Sequence, residues 1–147
     1  MRKYYFDTSI WLDLFENRDE PGLPKSRFVK ELVNKILKMD GRILYSDVVM
    51  TEMSEISYPY NEIKQKFATL IKILVYVEST KTQFGKAKDI SSKRKVPKRD
   101  ALHALLARDN GAVMVTRDKH FNELRDITIP KKPEECLEFT RISFLAF

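Results

Sequence analysis

The sequence predicts an α/β fold, a parallel sheet covered by helices on both faces. Two observations carry this expectation. Short apolar segments alternate along the chain with stretches whose apolar residues recur at helical spacing, the pattern of strand–helix–strand units. The chain has 147 residues, enough for one well-buried domain and too few for two, so 1–147 is expected to fold as one unit.

Each element follows from its residues. Lys3–Phe6 is short and aromatic and ends in Asp7, which predicts a buried strand. Thr8 and Ser9 start a helix with Ile10, Trp11, Leu14 and Phe15 on one face. Asn17–Pro24 holds Asp, Gly and two prolines and reads as a loop. Phe28, Val29, Leu32, Ile36 and Leu37 mark a second helix, stopped by Asp40-Gly41. Arg42–Tyr45 is a second strand, and Ser46 or Asp47 caps a helix running through Glu52 to about Ile56. Pro59 bars its continuation, and a further helix is expected over Glu62–Leu70. The second half of Ile71–Val77 reads as strand, and the basic segment that follows carries a helix closed before Pro97. Asp100–Asp109 is a helix with Leu102, Leu105 and Leu106 inward and Gly111 past its end. Ala112–Val115 is a strand, Asp118–Leu124 a short helix and Ile127–Ile129 a last strand.

Composition narrows the class. Hydrophobic residues make up 43% and charged residues 33%, which fits a globular protein and excludes a disordered or collagen-like chain. Cys136 is the single cysteine, so no intrachain disulfide can form, as expected in a reducing compartment. With only His103 and His120 beside it, a Cys/His zinc site is excluded. The longest apolar stretch, Leu70–Val77, is broken by Lys72 and falls far short of the ~20 residues of a membrane helix. Asp7 and Asp13 interrupt any signal-peptide core, so the expected location is cytoplasmic, with no membrane partner.

Four carboxylates stand in suggestive places. Asp7 follows the first strand, Asp118 follows Val113-Met114-Val115 by way of Thr116-Arg117, Asp100 begins the helix leading into that strand, and Glu52 lies in the helix after the second strand. Sites in open parallel sheets form outside the carboxyl ends of the strands, so Asp7 and Asp118 share an edge if their strands are neighbours. Each acid also has a plain explanation: aspartate is a favoured helix cap, and Glu52 suits an exposed helix face. Convergence is the sharper reading. Apposed carboxylates repel and need a cation or a proton. An oxygen-rich set without Cys/His spacing suits a hard ion such as Mg²⁺ or Mn²⁺, the equipment for hydrolysing a phosphodiester.

These residues resemble the PIN-domain nucleases, and within them the small VapC toxin ribonucleases. The matching pieces are Tyr5-Phe6-Asp7-Thr8-Ser9-Ile10-Trp11, Glu52, Asp100-Ala101-Leu102-His103-Ala104 and Val115-Thr116-Arg117-Asp118-Lys119-His120-Phe121, with a weaker match at Pro133-Glu134-Glu135-Cys136-Leu137. The resemblance implies a three-layer α/β/α fold around a five-stranded parallel sheet. It implies that Asp7, Glu52, Asp100 and Asp118 bind one or two Mg²⁺ or Mn²⁺ ions, that metal-activated water cleaves RNA, and that the hydroxyls of Ser9 and Thr116 support the acids. It further implies a homodimer and an antitoxin protein whose segment covers the acidic cleft.

Net charge is +6, and its distribution is uneven. Lys81–Arg99 holds eight basic residues against Asp89 alone, so the rest of the chain sums to −1. A charge run is commonly a solvated face. Read functionally, Lys93, Arg94, Lys95, Lys98, Arg99 and also Arg117 are candidates for contacting RNA phosphates. Arg117 fits an exposed position equally well. His103, one turn after Asp100, suits a structural role more readily than proton transfer, and His120 is expected to face solvent or pack near Phe121. Trp11 is expected in the core rather than stacked on a base. The apolar end, Phe139–Phe147, suggests an extra packed element or a dimer contact.

The leading expectation is therefore a Mg²⁺- or Mn²⁺-dependent RNA endonuclease that serves as the toxin of a toxin–antitoxin pair. The alternatives are a PIN nuclease that processes RNA without being a toxin, and a non-catalytic nucleic-acid-binding module.

Overall fold

The computed structural model describes residues 1–137. The expectation for Phe139–Phe147 lies outside them. Five strands form one sheet in the order β3-β2-β1-β4-β5, and every pairing is parallel. The strands are β1 (Lys3–Phe6), β2 (Arg42–Ser46), β3 (Leu74–Val77), β4 (Val113–Val115) and β5 (Pro130–Lys131). The helices are α1 (Thr8–Phe15), α2 (Lys25–Lys38), α3 (Asp47–Glu55), α4 (Tyr60–Ala68), α5 (Lys81–Arg94) and α6 (Lys98–Asp109), with a 3₁₀ helix over Lys119–Leu124.

Strand alternation divides the sheet between two cores. Tyr4, Phe6, Ile43 and Val115 point to one face and pack with Ile10, Trp11 and Phe15 of α1, Val29, Leu32 and Ile36 of α2, and Ile63 and Phe67 of α4. Tyr5, Leu44 and Met114 point to the other face and meet Ala87 of α5, Leu102, Leu105 and Leu106 of α6, and Phe121 and Leu124 of the 3₁₀ helix. The inner strands β1, β2 and β4 are covered on both faces, which explains why they read as apolar runs. Burying a side chain of the size of Phe6 or Leu105 contributes about 1.5–3 kcal/mol.

Local chemistry sets the ends of the elements. Asp7 caps α1 and Ser46 caps α3 through their side-chain oxygens. Thr80 and Gln83 form a capping box that starts α5, and the Gln83 amide donates to Asp109 Oδ2 at 2.9 Å, tying α5 to the end of α6. Lys95, in the left-handed region at φ 55°, ends α5 before Pro97. Gly111, at φ 63°, turns the chain out of α6 into β4.

Two expected boundaries are corrected. The last strand is Pro130–Lys131 rather than Ile127–Ile129, because the N–H groups of Ile127 and Thr128 both donate to the Leu124 carbonyl and close a turn. Pro130 is tolerated because β5 is an edge strand. Helix α6 begins at Lys98, behind Pro97, so Asp100 lies within the first turn and does not cap it. Among the described residues no helix is long and apolar enough to cross a membrane.

Candidate active site

Parallel pairing aligns the carboxyl ends of β1 and β4. Phe6 is in register with Val115, so Asp7 and Thr116 each follow directly at the same edge. Helix α6 leads into β4 and runs back against the strand direction, which places its first turn, with Asp100, at that edge too. Asp118 follows β4 after Thr116 and Arg117.

Asp7 is 5% exposed and both oxygens of its carboxylate accept hydrogen bonds. Oδ1 accepts from the Ser9 hydroxyl at 2.8 Å and from the Ile10 N–H at 3.1 Å, and Oδ2 accepts a short hydrogen bond from Thr116. Burial pushes the Asp7 carboxyl above the usual aspartate range; the bond from Thr116, the His103 ring and the bonds from Ser9 and Ile10 pull against that shift. Thr116 also accepts from the Asp118 N–H at 3.0 Å, so one hydroxyl links the two acidic segments.

Asp100, Asp118 and His120 form a tight group, each offering a ligand atom within 4.8 Å of the others. His120 Nδ1 lies 3.2 Å from Asp100 Oδ2 and 3.1 Å from Asp118 Oδ1. The Asp100 carboxyl is pushed up to about 6, first by burial and then by the charge of Asp118, with a smaller push from Asp7. Asp100 thus feels both other aspartates, which is the electrostatic mark of convergence.

Glu52 stands in a different setting. Its Oε1 accepts from the Thr8 hydroxyl at 2.8 Å and lies 2.5 Å from His103 Nε2. His103, 2% exposed, has its Nδ1 2.6 Å from the Tyr5 hydroxyl, which lies 2.7 Å from Ser46 Oγ. One proton arrangement satisfies this whole chain. The Val49 N–H donates to Ser46, Ser46 to Tyr5, Tyr5 to Nδ1, and Nε2–H to Glu52. Burial alone would push Glu52 up, but the hydrogen bond from His103, the Thr8 bond and Arg99 hold it below the usual glutamate range. Glu52 is therefore a fixed carboxylate, not an exposed helix glutamate.

The basic candidates divide. Arg94 makes a two-pronged pair with Asp126 at 2.6 and 2.8 Å. Arg99 pairs in the same way with Glu55, Nη2 at 2.7 Å. Arg117 is mostly buried, with Nη1 donating to Glu134 at 2.9 Å. Lys93, Lys95 and Lys98 are exposed, and Lys98 lies over the Phe84 ring at 6.0 Å. Trp11 is fully buried, as expected of a core residue.

Sequence reasoning missed the placement of His120. Its ring is half-exposed, as expected, yet its inner nitrogen touches both acids. The signal was available in the spacing. A capping aspartate accepts from the N–H two residues on, here His120 N at 2.9 Å, and this draws that residue toward the carboxylate.

Comparison with known proteins agrees with this architecture. The family model described as PIN domain matches residues 4–127. No curated protein matches the sequence. Among solved structures, the chain is similar to a toxin-antitoxin complex from Klebsiella pneumoniae (17% identity, TM-score 0.62, covering 88% of this chain and 97% of that one). It is similar to VapBC2 from Rickettsia felis, bound to a DNA fragment from their promoter (15%, 0.66, 88% and 98%). It is also similar to VapBC-1 from nontypeable Haemophilus influenzae (17%, 0.63, 90% and 98%). At these identities the structural likeness shows the fold, and the family match spans most of the sequence: the chain belongs to the PIN-domain family.

Proposed function

We propose that this chain is a divalent-metal-dependent RNA endonuclease and the toxin of a toxin–antitoxin pair. The observation that carries the nuclease reading is the gathering of Asp100, Asp118 and His120 beside buried Asp7 at the carboxyl edge of β1 and β4. The toxin reading rests on the likeness to the VapBC structures.

The residues present fit a divalent cation. Asp7, Asp100 and Asp118, with the Asp100 carboxyl held up by burial and by the charges of the other two and an imidazole nitrogen alongside, form a donor set of mainly hard oxygens suited to Mg²⁺ or Mn²⁺. Asp7, Asp100 and Asp118 would hold the ion, with Glu52 reaching it directly or through water. When bound, such an ion acidifies a water and neutralises charge on the phosphate and the leaving oxygen. The protein's own part is positional. Ser9, Thr116 and the Ile10 N–H fix the Asp7 carboxylate against the penalty of burial. Thr8 and His103 hold Glu52 ionised by occupying Oε1, so the rotation of its carboxylate is fixed.

The repulsion gives a test that does not depend on activity. A carboxyl whose folded pKa is raised stabilises the fold while protonated, and that stability is lost as pH rises from the ordinary aspartate range, about 3.9, through the folded value. For Asp100 the window closes at about 6. Without metal, Asp100→Asn is therefore expected to gain stability over the native protein as pH rises from 4 to 7, measured by urea unfolding. Mn²⁺ is expected to reverse the order at pH 7, because it stabilises only the intact site. Equal stability of the two proteins at every pH, with or without Mn²⁺, would contradict the reading.

A further inference from the structure

We propose that the concavity on the β4–β5 side of the site is where the nucleic-acid strand lays its phosphates, in place of the basic run on α5. The inference rests on the nuclease reading and adds to it the track of the substrate. A cavity of about 370 Å³ opens beside Asp118, lined by Thr116, Asp118 and Asn122 and by four cations, Lys119, Arg125, Lys131 and Lys132.

Place in the fold, with Asp118 and Thr116 in the cavity wall, separates this surface from the basic run. All four cations are exposed, and none of their side chains makes a hydrogen bond or ion pair among the described residues. Two acids, Asp118 and Glu135, also line the cavity. The Glu135 carboxylate accepts from the Lys132 N–H at 2.9 Å, and the Asp118 carboxylate accepts from His120. Glu134 is held by Arg117. In the basic run the two arginines, Arg94 on α5 and Arg99 on α6, are in two-pronged pairs with Asp126 and Glu55, and Lys93 and Lys95 are exposed. Such a pair must be broken or shared before the guanidinium can take a phosphate, whereas the four cations of the cavity make no such pair among the described residues.

Position adds to charge. Asp118 and Thr116 belong both to the acidic group and to the wall of the cavity. A strand whose scissile phosphate sits at the acids would therefore place a neighbouring phosphate among Lys119, Arg125, Lys131 and Lys132. Simple cations contact the backbone and not the bases, so this surface gives affinity and register without sequence preference.

The test is binding, with cleavage held off. A short single-stranded RNA is titrated in Ca²⁺ and followed by fluorescence anisotropy across a salt series. Three proteins are compared: the native chain, Lys119→Gln/Arg125→Gln/Lys131→Gln, and Lys93→Gln/Lys95→Gln/Lys98→Gln. The cavity variant is expected to bind at least about tenfold more weakly, and its slope of log affinity against log salt to fall by about 1.4 for two lost phosphate contacts. The α5 variant is expected to bind within about twofold of native. The reverse pattern overturns the placement and leaves the nuclease reading intact. Native RNA binding by the cavity variant, together with lost binding of an acidic poly-glutamate peptide, assigns the surface to a protein partner and also overturns it. A native protein with no affinity for RNA overturns the inference and the reading beneath it.

Discussion

Asp7→Asn is expected to lower RNA cleavage in Mn²⁺ or Mg²⁺ at least about a hundredfold, since loss of even an outer-shell partner at a metal site typically costs 10–100-fold. The same change is expected to leave the metal-free fold no less stable. Burial makes the ionised Asp7 costly, and the neutral amide removes that cost while its oxygen still accepts from Ser9 and the Ile10 N–H. Thr116 must then turn its hydroxyl to accept from the new amide. Activity and stability should therefore separate, by cleavage assay on one side and urea unfolding on the other. Loss of both together would mean that Asp7 is only a helix cap. Unchanged cleavage would remove it from the reaction.

The largest effect on stability is expected at Trp11. Its ring is fully buried, with Phe67 at 4.9 Å, Phe6 at 5.1 Å and Phe15 at 5.7 Å between ring centres. Trp11→Ala empties the centre of the first core and is expected to cost about 3–5 kcal/mol. That is a large share of the roughly 5–15 kcal/mol that holds a domain of this kind together. Trp11→Phe is expected to cost markedly less, for a specific reason. The buried indole Nε1 has no hydrogen-bond partner among the described residues, and phenylalanine removes that orphaned donor along with the lost volume. Urea midpoints of the two variants check this. Equal losses would show that the indole nitrogen is satisfied.

Much of the sheet was legible because its inner strands are buried on both faces and therefore read as apolar runs. β1 appears at its observed limits, and the parallel arrangement followed from the alternation with helices. Where the sequence misled, a local turn had overridden propensity. Ile127 and Thr128 look like strand, yet their N–H groups are taken by Leu124 and pairing begins only at Pro130. The edge on which Asp7 and Asp118 meet could be anticipated from strand ends alone. The chain from Ser46 through Tyr5 and His103 to Glu52 could not. It joins residues on β1, β2, α3 and α6 that lie far apart along the sequence, and no spacing rule reports a hydrogen bond across 98 positions. Charge was the least legible feature. A sequence counts cations, but only the fold shows that Arg94, Arg99 and Arg117 are already paired while Lys119, Arg125, Lys131 and Lys132 have no side-chain partner among the described residues.

The proposed activity requires one site holding one kind of ion. Diffraction from a Mn²⁺-soaked crystal at the manganese absorption edge tests it most directly. An anomalous peak bounded by the carboxylates of Asp7, Asp100 and Asp118 is the predicted result. A protein that cuts RNA in Mn²⁺ while its manganese lies elsewhere, or nowhere, would contradict it.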